Sequence, residues 1–186
     1  MAAPPEKKME GIFQVTNVPH ELFNFATAAS VASWSAVDDR VMGGVSRSRL
    51  RHDPLGHAVF EGTVSLQNNG GFASVRSAAL TRPPAAGIRR YLLDVLDLLD
   101  DGKRYKLTLR MDDAFDGIAY QAVFAPPAGL WTTVELPLQA FAASFRGRGV
   151  PEAPPLDPGR VRQVGLMIAE SQEGEFALAL RAIRTD

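Results

Sequence analysis

From residue 57 onward, apolar and polar positions alternate with a period of two in one short segment after another. His57–Leu66 sets Ala58, Phe60, Gly62, Val64 and Leu66 on one face and Glu61, Thr63 and Ser65 on the other. Tyr105–Met111 sets Tyr105, Leu107, Leu109 and Met111 against Lys106, Thr108 and Arg110. Ile118–Phe124, Leu130–Leu138, Val161–Ala169 and Glu175–Ile183 read the same way. Strands that bury one face against a second sheet carry this signature. Tyr91–Leu99 admits two readings, because Leu92, Val95, Leu96 and Leu99 also fall at helical spacing. A strand is favoured there, since Asp100-Asp101-Gly102 leads straight into the strand at Tyr105. Asp101-Gly102 then reads as a tight hairpin turn.

Helical signals are few: a turn within Glu21–Ser30 after Pro19, and another within Gln139–Ser144. Eight or more strands with so little helix predict an all-β fold, a sandwich or a closed barrel. No repeat or linker divides the chain. The expected organisation is a flexible tail over residues 1–10 and one domain over 11–186. The proline-rich stretch 151–158 reads as a surface loop.

Composition narrows the function classes. With 186 residues, 46% of them hydrophobic, the chain can bury a core without staples, removing about 70% of its extended surface from water. Zero cysteines exclude thiol nucleophiles, thiolate zinc sites and disulfides. Twenty basic against 21 acidic residues offer no overall attraction to nucleic acid. No run approaches the ~18 apolar residues of a membrane span. MAAPPEKKME lacks the apolar core of a secretory signal, so a cytoplasmic protein is expected.

Three segments exceed what a generic β-domain needs. Trp34–Ser46 places Gly43-Gly44 beside Asp38, Asp39 and Arg40. Either the loop presents these charges to a ligand, or the carboxylates accept backbone N–H bonds within a turn. Gln67–Arg76 carries Asn68-Asn69-Gly70-Gly71, with Phe72, Ser74 and Arg76 alternating after it. Asn69-Gly70 fits a hairpin turn. The face bearing Phe72, Ser74 and Arg76 suits either a polar ligand such as a sugar or an arginine buried against a carboxylate of the first segment. Phe141–Val150 sets Arg146 and Arg148 about Gly147, a fork suited to carboxylates or phosphates or a solvated loop.

Taken in order, these runs resemble one family. W-x3-D-D-R-V-M-G-G-V-S is followed by F-E-G-x-V-S-L-x-N-N-G-G-F-A-S-V-R, then D-G-K-R-Y-K-L-x-L-R, then W-x-x-V-x-L-P-L-x-x-F-x-x-S-F-R-G-R. With Val164–Ile168 and Phe176, they are similar to the complex I intermediate-associated protein 30 family over residues 22–183. The resemblance implies a jelly-roll β-sandwich like the galactose-binding domains. It also implies kinship with assembly factors of NADH:ubiquinone oxidoreductase (complex I), which are not subunits of the finished enzyme. It carries the family pattern onto Asp38, Asp39, Met42, Gly43, Gly44, Ser46, Asn68, Asn69, Gly70, Gly71, Phe72, Arg76, Arg110, Arg146, Gly147 and Arg148. No catalytic role comes with these positions. The chain departs from the pattern at Asp97–Asp101, where a glycine commonly precedes the Asp-Gly turn.

The acid–base inventory of the chain is thin. His52 and His57 flank an Asp53-Pro54 turn and are expected to be exposed. Asp38/Asp39 and Asp112/Asp113 are adjacent pairs whose side chains diverge on a strand, so neither makes a dyad. With Asp116, the second pair offers either calcium oxygens or a solvated acidic turn. The expected function is therefore a non-enzymatic binding or assembly domain without cofactor or metal. Its ligand- or partner-binding residues would be Asp38, Asp39, Arg40, Met42, Gly43, Gly44, Ser46, Asn68, Asn69, Gly70, Gly71, Phe72, Arg76, Arg146 and Arg148. Their three loops are expected to converge on one end or face and to hold a protein segment or a small polar ligand, with complex I subunits or assembly intermediates, or another membrane complex, as the candidate partners. Two rivals remain open: a carbohydrate-binding module, and a buried network pairing Asp38 or Asp39 with Arg76 or Arg110.

Overall fold

A computed structural model describes residues 19–186; the expected tail, residues 1–10, lies outside them. In chain order the strands are β1 (His20–Asn24), β2 (Trp34–Ala36), β3 (Arg47–Asp53), β4 (His57–Val64), β5 (Ala73–Ser77), β6 (Arg90–Asp97) and β7 (Tyr105–Arg110). They continue with β8 (Ala119–Phe124), β9 (Thr132–Pro137), β10 (Ala142–Phe145), β11 (Arg148–Gly149), β12 (Gln163–Ile168) and β13 (Gly174–Thr185). Between them the described chain makes short 3-10 turns, two of them at Ala28–Val31 and Leu138–Ala140, near the expected helical turns.

A six-stranded sheet runs β3-β4-β13-β6-β9, with β1 also paired to β13, and a seven-stranded sheet runs β11-β10-β8-β7-β12-β5-β2. The pairings between these strands are antiparallel. The alternation read in the sequence points each strand's apolar set inward. Phe60, Tyr91, Leu93, Phe176, Leu178 and Leu180 of the first sheet meet Val75, Tyr105, Leu107, Leu109, Leu166 and Ile168 of the second in one buried cluster. The result is a jelly-roll β-sandwich. On β13 the inward set shifts from Leu180 to Ile183 because the register slips between Leu180 and Ala182, a bulge that turns Arg181 outward.

The structure corrects two turns. β6 and β7 lie in different sheets, so Asp101-Gly102 is an arch across the sandwich and not a hairpin. β4 and β5 also lie in different sheets, and Asn69-Gly70 belongs to a second such arch. Asn68 and Asn69 enter it at φ 55° and 59°, a left-handed path that asparagine tolerates better than most residues. A turn dipeptide marks where the chain bends, while the pattern of buried faces decides which sheet receives it.

Candidate functional site

Asp38 and Asp39 follow β2 and open a single 3-10 turn, Asp39–Met42. Both are almost wholly inside, with Asp39 at 0% exposure and Asp38 at 7%. Asp39 Oδ1 accepts the Ser46 amide at 3.0 Å. Its Oδ2 accepts the Ser46 hydroxyl at 2.5 Å, the Gly71 amide at 2.8 Å and the Phe72 amide at 3.4 Å. Asp38 takes the Ser48 hydroxyl at 2.5 Å and the amides of Ser48 and Ser74 at 3.0 Å each. Burial pushes the Asp39 carboxyl up, but the Ser46 hydroxyl and the amides of Gly71, Ser46 and Phe72 outweigh it. The group lies below its ordinary 3.8 and is ionised at neutral pH.

This clamp explains one glycine of each pair, while Gly43 and Gly71 serve the left-handed turns at φ 91° and 139°. A Cβ on Gly44 would overlap the Asp39 carboxylate, and one on Gly70 would stand 2.6 Å from Asp39 Oδ2 and 2.7 Å from the Ser65 carbonyl. The two loops close on one carboxylate from opposite sides, and only hydrogen side chains let them. Asn68 ties them again, its Nδ2 donating to the Gly43 carbonyl at 3.2 Å. Ser48 was not among the expected site residues. The signal was present in Ser46-x-Ser48, since hydroxyls two apart on a strand share a face and can serve adjacent carboxylates.

The expected buried pairing of Asp38 or Asp39 with Arg76 or Arg110 is not what forms. The carboxylates have their acceptor sites filled by serines and amides. Arg76 and Arg110 stand on the outer face of the seven-stranded sheet, opposite Gly165 and Gln163 of the intervening β12. Arg76 Nη1 donates to the Phe115 carbonyl at 3.0 Å and Arg110 Nη1 to the Gly117 carbonyl at 2.8 Å. Both acceptors belong to the β7–β8 connection, which folds over this face. The Arg76 guanidinium also lies 5.6 Å from the Phe115 ring centroid.

The three expected loops do not all converge. β5 and β7 run parallel on either side of β12, so the clamp sits where β5 begins and the Arg146-Gly147 turn sits at the opposite end, where β7 finishes. There Arg146 Nε reaches Asp116 at 2.9 Å, while Arg148 stays exposed. The β7–β8 connection spans the gap. Its Phe115 lines a cleft of about 400 Å³ with Ala36, Val37, Asp38, Arg40 and Val41. Arg40 and Met42 are exposed, Phe72 is half-buried, and the rim shows Val41 at 62%, Met42 at 61% and Phe115 at 64% exposure.

The acid–base candidates fall elsewhere. His57, expected to be exposed, is buried edge-on to the Trp131 ring at 5.4 Å, and burial lowers its pKa. Asp113 pairs with Arg162 at 3.2 Å and Asp112 caps the Ala114 amide at 3.1 Å. Among the described residues no group of three His, Asp or Glu side chains is placed to hold a metal, and no helix is long and apolar enough to cross a membrane.

Comparison with known proteins gives two kinds of likeness. The family described as complex I intermediate-associated protein 30 matches residues 23–180. A Schizosaccharomyces pombe relative, the uncharacterized protein C9E9.15, is 29% identical over 165 residues, which is 80% of this chain and 75% of its own. In structure, the family 11 carbohydrate-binding module of the Clostridium thermocellum cellulase Lic26A-Cel5E superposes with a TM-score of 0.66 at 14% identity, over 90% of this chain and 94% of the module. The family 11 module bound to a β-1,3-1,4-mixed-linked tetrasaccharide gives 0.64 at 15% identity, with the same coverage of 90% and 94%. An exo-β-agarase gives 0.57 at 11% identity, over 90% of this chain and 25% of the agarase. At such identities the structural likeness is one of fold.

Proposed function

The chain belongs to the complex I intermediate-associated protein 30 family, and from that membership we propose a non-enzymatic binding domain that assists assembly of NADH:ubiquinone oxidoreductase, or of another membrane complex, through protein contacts. One observation carries the reading beyond membership. The two carboxylates in the family's first run are spent on internal hydrogen bonds that anchor the loop bearing Arg40, Val41 and Met42, and Phe115, held by Arg76, completes the rim. Such a rim mixes apolar area with guanidinium donors and holds no free acid or base, which suits recognition of a polypeptide. The reading treats residues 11–186 as one working domain in the cytoplasm.

Carbohydrate binding is the second reading, favoured by the fold alone. Sugar recognition on a sandwich of this kind calls for open aromatic faces. Here Arg76 lies over Phe115, Arg146 over Phe145 at 5.3 Å and Arg181 over Trp131 at 4.0 Å. Each of these rings has a face already covered by a cation.

Affinity purification of the tagged chain from its native cell is expected to recover subunits or assembly intermediates of the NADH:ubiquinone oxidoreductase. Calorimetric titration with a mixed-linkage β-glucan tetrasaccharide is expected to give no binding heat. Saturable sugar binding with no subunit recovered would reverse the assignment. In thermal unfolding, Arg146→Ala is expected to leave the melting temperature nearly unchanged, because its ion pair with Asp116 is exposed and screened by water.

A further inference from the structure

Arg76 and Arg110 are partly withdrawn from water, yet neither makes an ion pair with a described carboxylate. Asp113 and Asp116 in the overlying connection are taken by Arg162 and Arg146, and Asp112 is turned to the Ala114 amide. Burial, and then the charge of Arg110, hold the Arg76 guanidinium down to about 10, so it remains charged at neutral pH. Each arginine spends one N–H on a loop carbonyl and keeps the others, since a guanidinium carries five donors. Phe115 is the wall shared between Arg76 and the cleft. Arg40 also lines the cleft; its side chain is exposed and makes no hydrogen bond or ion pair among the described residues, and Val41 stands beside it. What enters therefore meets the Arg40 guanidinium and apolar area, and the one carboxylate on the wall, Asp38, already accepts three hydrogen bonds.

We propose that this cleft, bounded by Arg40, Val41 and Phe115 with Arg76 packed behind the Phe115 ring, seats a partner-protein segment that carries a carboxylate next to an apolar side chain. A carboxylate is an acceptor with no donor of its own, so it matches the unpaired Arg40 guanidinium. The exposed Val41 and Phe115 side chains supply the complementary apolar contact. A cleft of about 400 Å³ accommodates a few side chains rather than a folded element. The inference rests on the reading of the chain as a protein-binding domain and names the chemistry that such a domain would read.

Panning a phage-displayed random peptide library against the intact chain tests it. The expected enrichment is Asp or Glu beside Leu, Ile, Phe or Met. A synthetic peptide of the enriched sequence should lose at least tenfold in affinity on Arg40→Gln or Phe115→Ala, and as much when its acidic residues become amides. Arg40 and Phe115 are exposed, so both variants are expected to fold and the test stays sound. Succinate, a free dicarboxylate, is expected to bind more than a hundredfold more weakly than the peptide. Enrichment of uncharged or basic peptides, no enrichment, equal binding to the variants, or succinate binding as tightly as the peptide would each overturn the proposal. Recovery of complex I subunits by the Phe115→Ala chain at wild-type yield would also overturn it while leaving the assembly reading intact. Loss of all subunit recovery by the wild-type chain would defeat the assembly reading instead.

Discussion

Asp39→Ala is expected to destabilise the fold by about 3–5 kcal/mol. The carboxylate is fully buried and accepts four donors: the Ser46 amide and hydroxyl and the amides of Gly71 and Phe72. Alanine leaves these donors facing a void. The Ser46 hydroxyl can turn to the Ser65 carbonyl, 3.3 Å away, but the amides of Ser46 and Gly71 cannot move with it. Each stranded buried donor costs about 1–3 kcal/mol, and two of them with a small cavity account for the total. In a chain of this size such a loss lowers the melting temperature by roughly 10 °C. Asp38→Ala removes three bonds, two of them from the partly exposed Ser48, and is expected to cost less. Thermal unfolding followed by circular dichroism decides between them, and an Asp39→Ala chain that melts within about 2 °C of wild type would refute the clamp.

The same carboxylate sets a pH dependence. Its folded pKa lies below the ordinary 3.8, so the native state binds its proton less readily than the unfolded chain does. The stability it contributes is complete above the unfolded pKa, near 3.9, and is lost as pH falls through the folded value. Wild-type stability should therefore decline below about pH 4 more steeply than that of Asp39→Asn. The asparagine chain should be the less stable of the two at pH 7, because its amide N–H groups face donors.

How far the sequence displayed this arrangement depended on what each residue buries. β7 was legible because one face is core and the other is not, and β4, β8, β12 and β13 because their core-facing side chains keep a period of two even where the residues between them are also buried. β6 was read as a strand from the turn that follows it; the turn is an arch rather than a hairpin, but Tyr91, Leu93 and Val95 do point inward as a strand requires. β3 was not legible: its residues Arg47, Ser48, Arg49, Leu50, Arg51, His52 and Asp53 lie at a sheet edge, where Leu50 alone packs on the core. β2 and β11 are too short for any period to register. At the site, the glycine pairs and adjacent aspartates were visible, but their direction was not. Nothing in Asp-Asp says whether a carboxylate faces solvent or two serines on the next strand, because that depends on a pairing between loops some thirty residues apart. The resemblance located the residues; the packing turns Asp38, Asp39, Gly44 and Ser46 inward to hold the loop and leaves Arg40 and Met42 on the rim.

Gly44→Ala is expected to cost about 2–3 kcal/mol, the penalty of a methyl forced into a closed site. The reason is the Asp39 side chain, with which the new Cβ would collide. That origin predicts a coupling. In an Asp39→Ala background the two nearest contacts are gone but the residue 39 Cβ remains at 2.9 Å, so Gly44→Ala should cost less there than in the wild-type chain without becoming free. Gly70→Ala is the contrast. Its Cβ would meet not only Asp39 Oδ2 but the backbone carbonyls of Ser65 at 2.7 Å and Gln67 at 3.0 Å, which Asp39→Ala leaves in place. Its cost should therefore persist in both backgrounds. Melting curves of the single and double variants measure both couplings. If Gly44→Ala is equally costly with and without the Asp39 carboxylate, the glycine is there for some reason other than the clamp, and the rim residues Arg40 to Met42 lose the anchor that fixes their position.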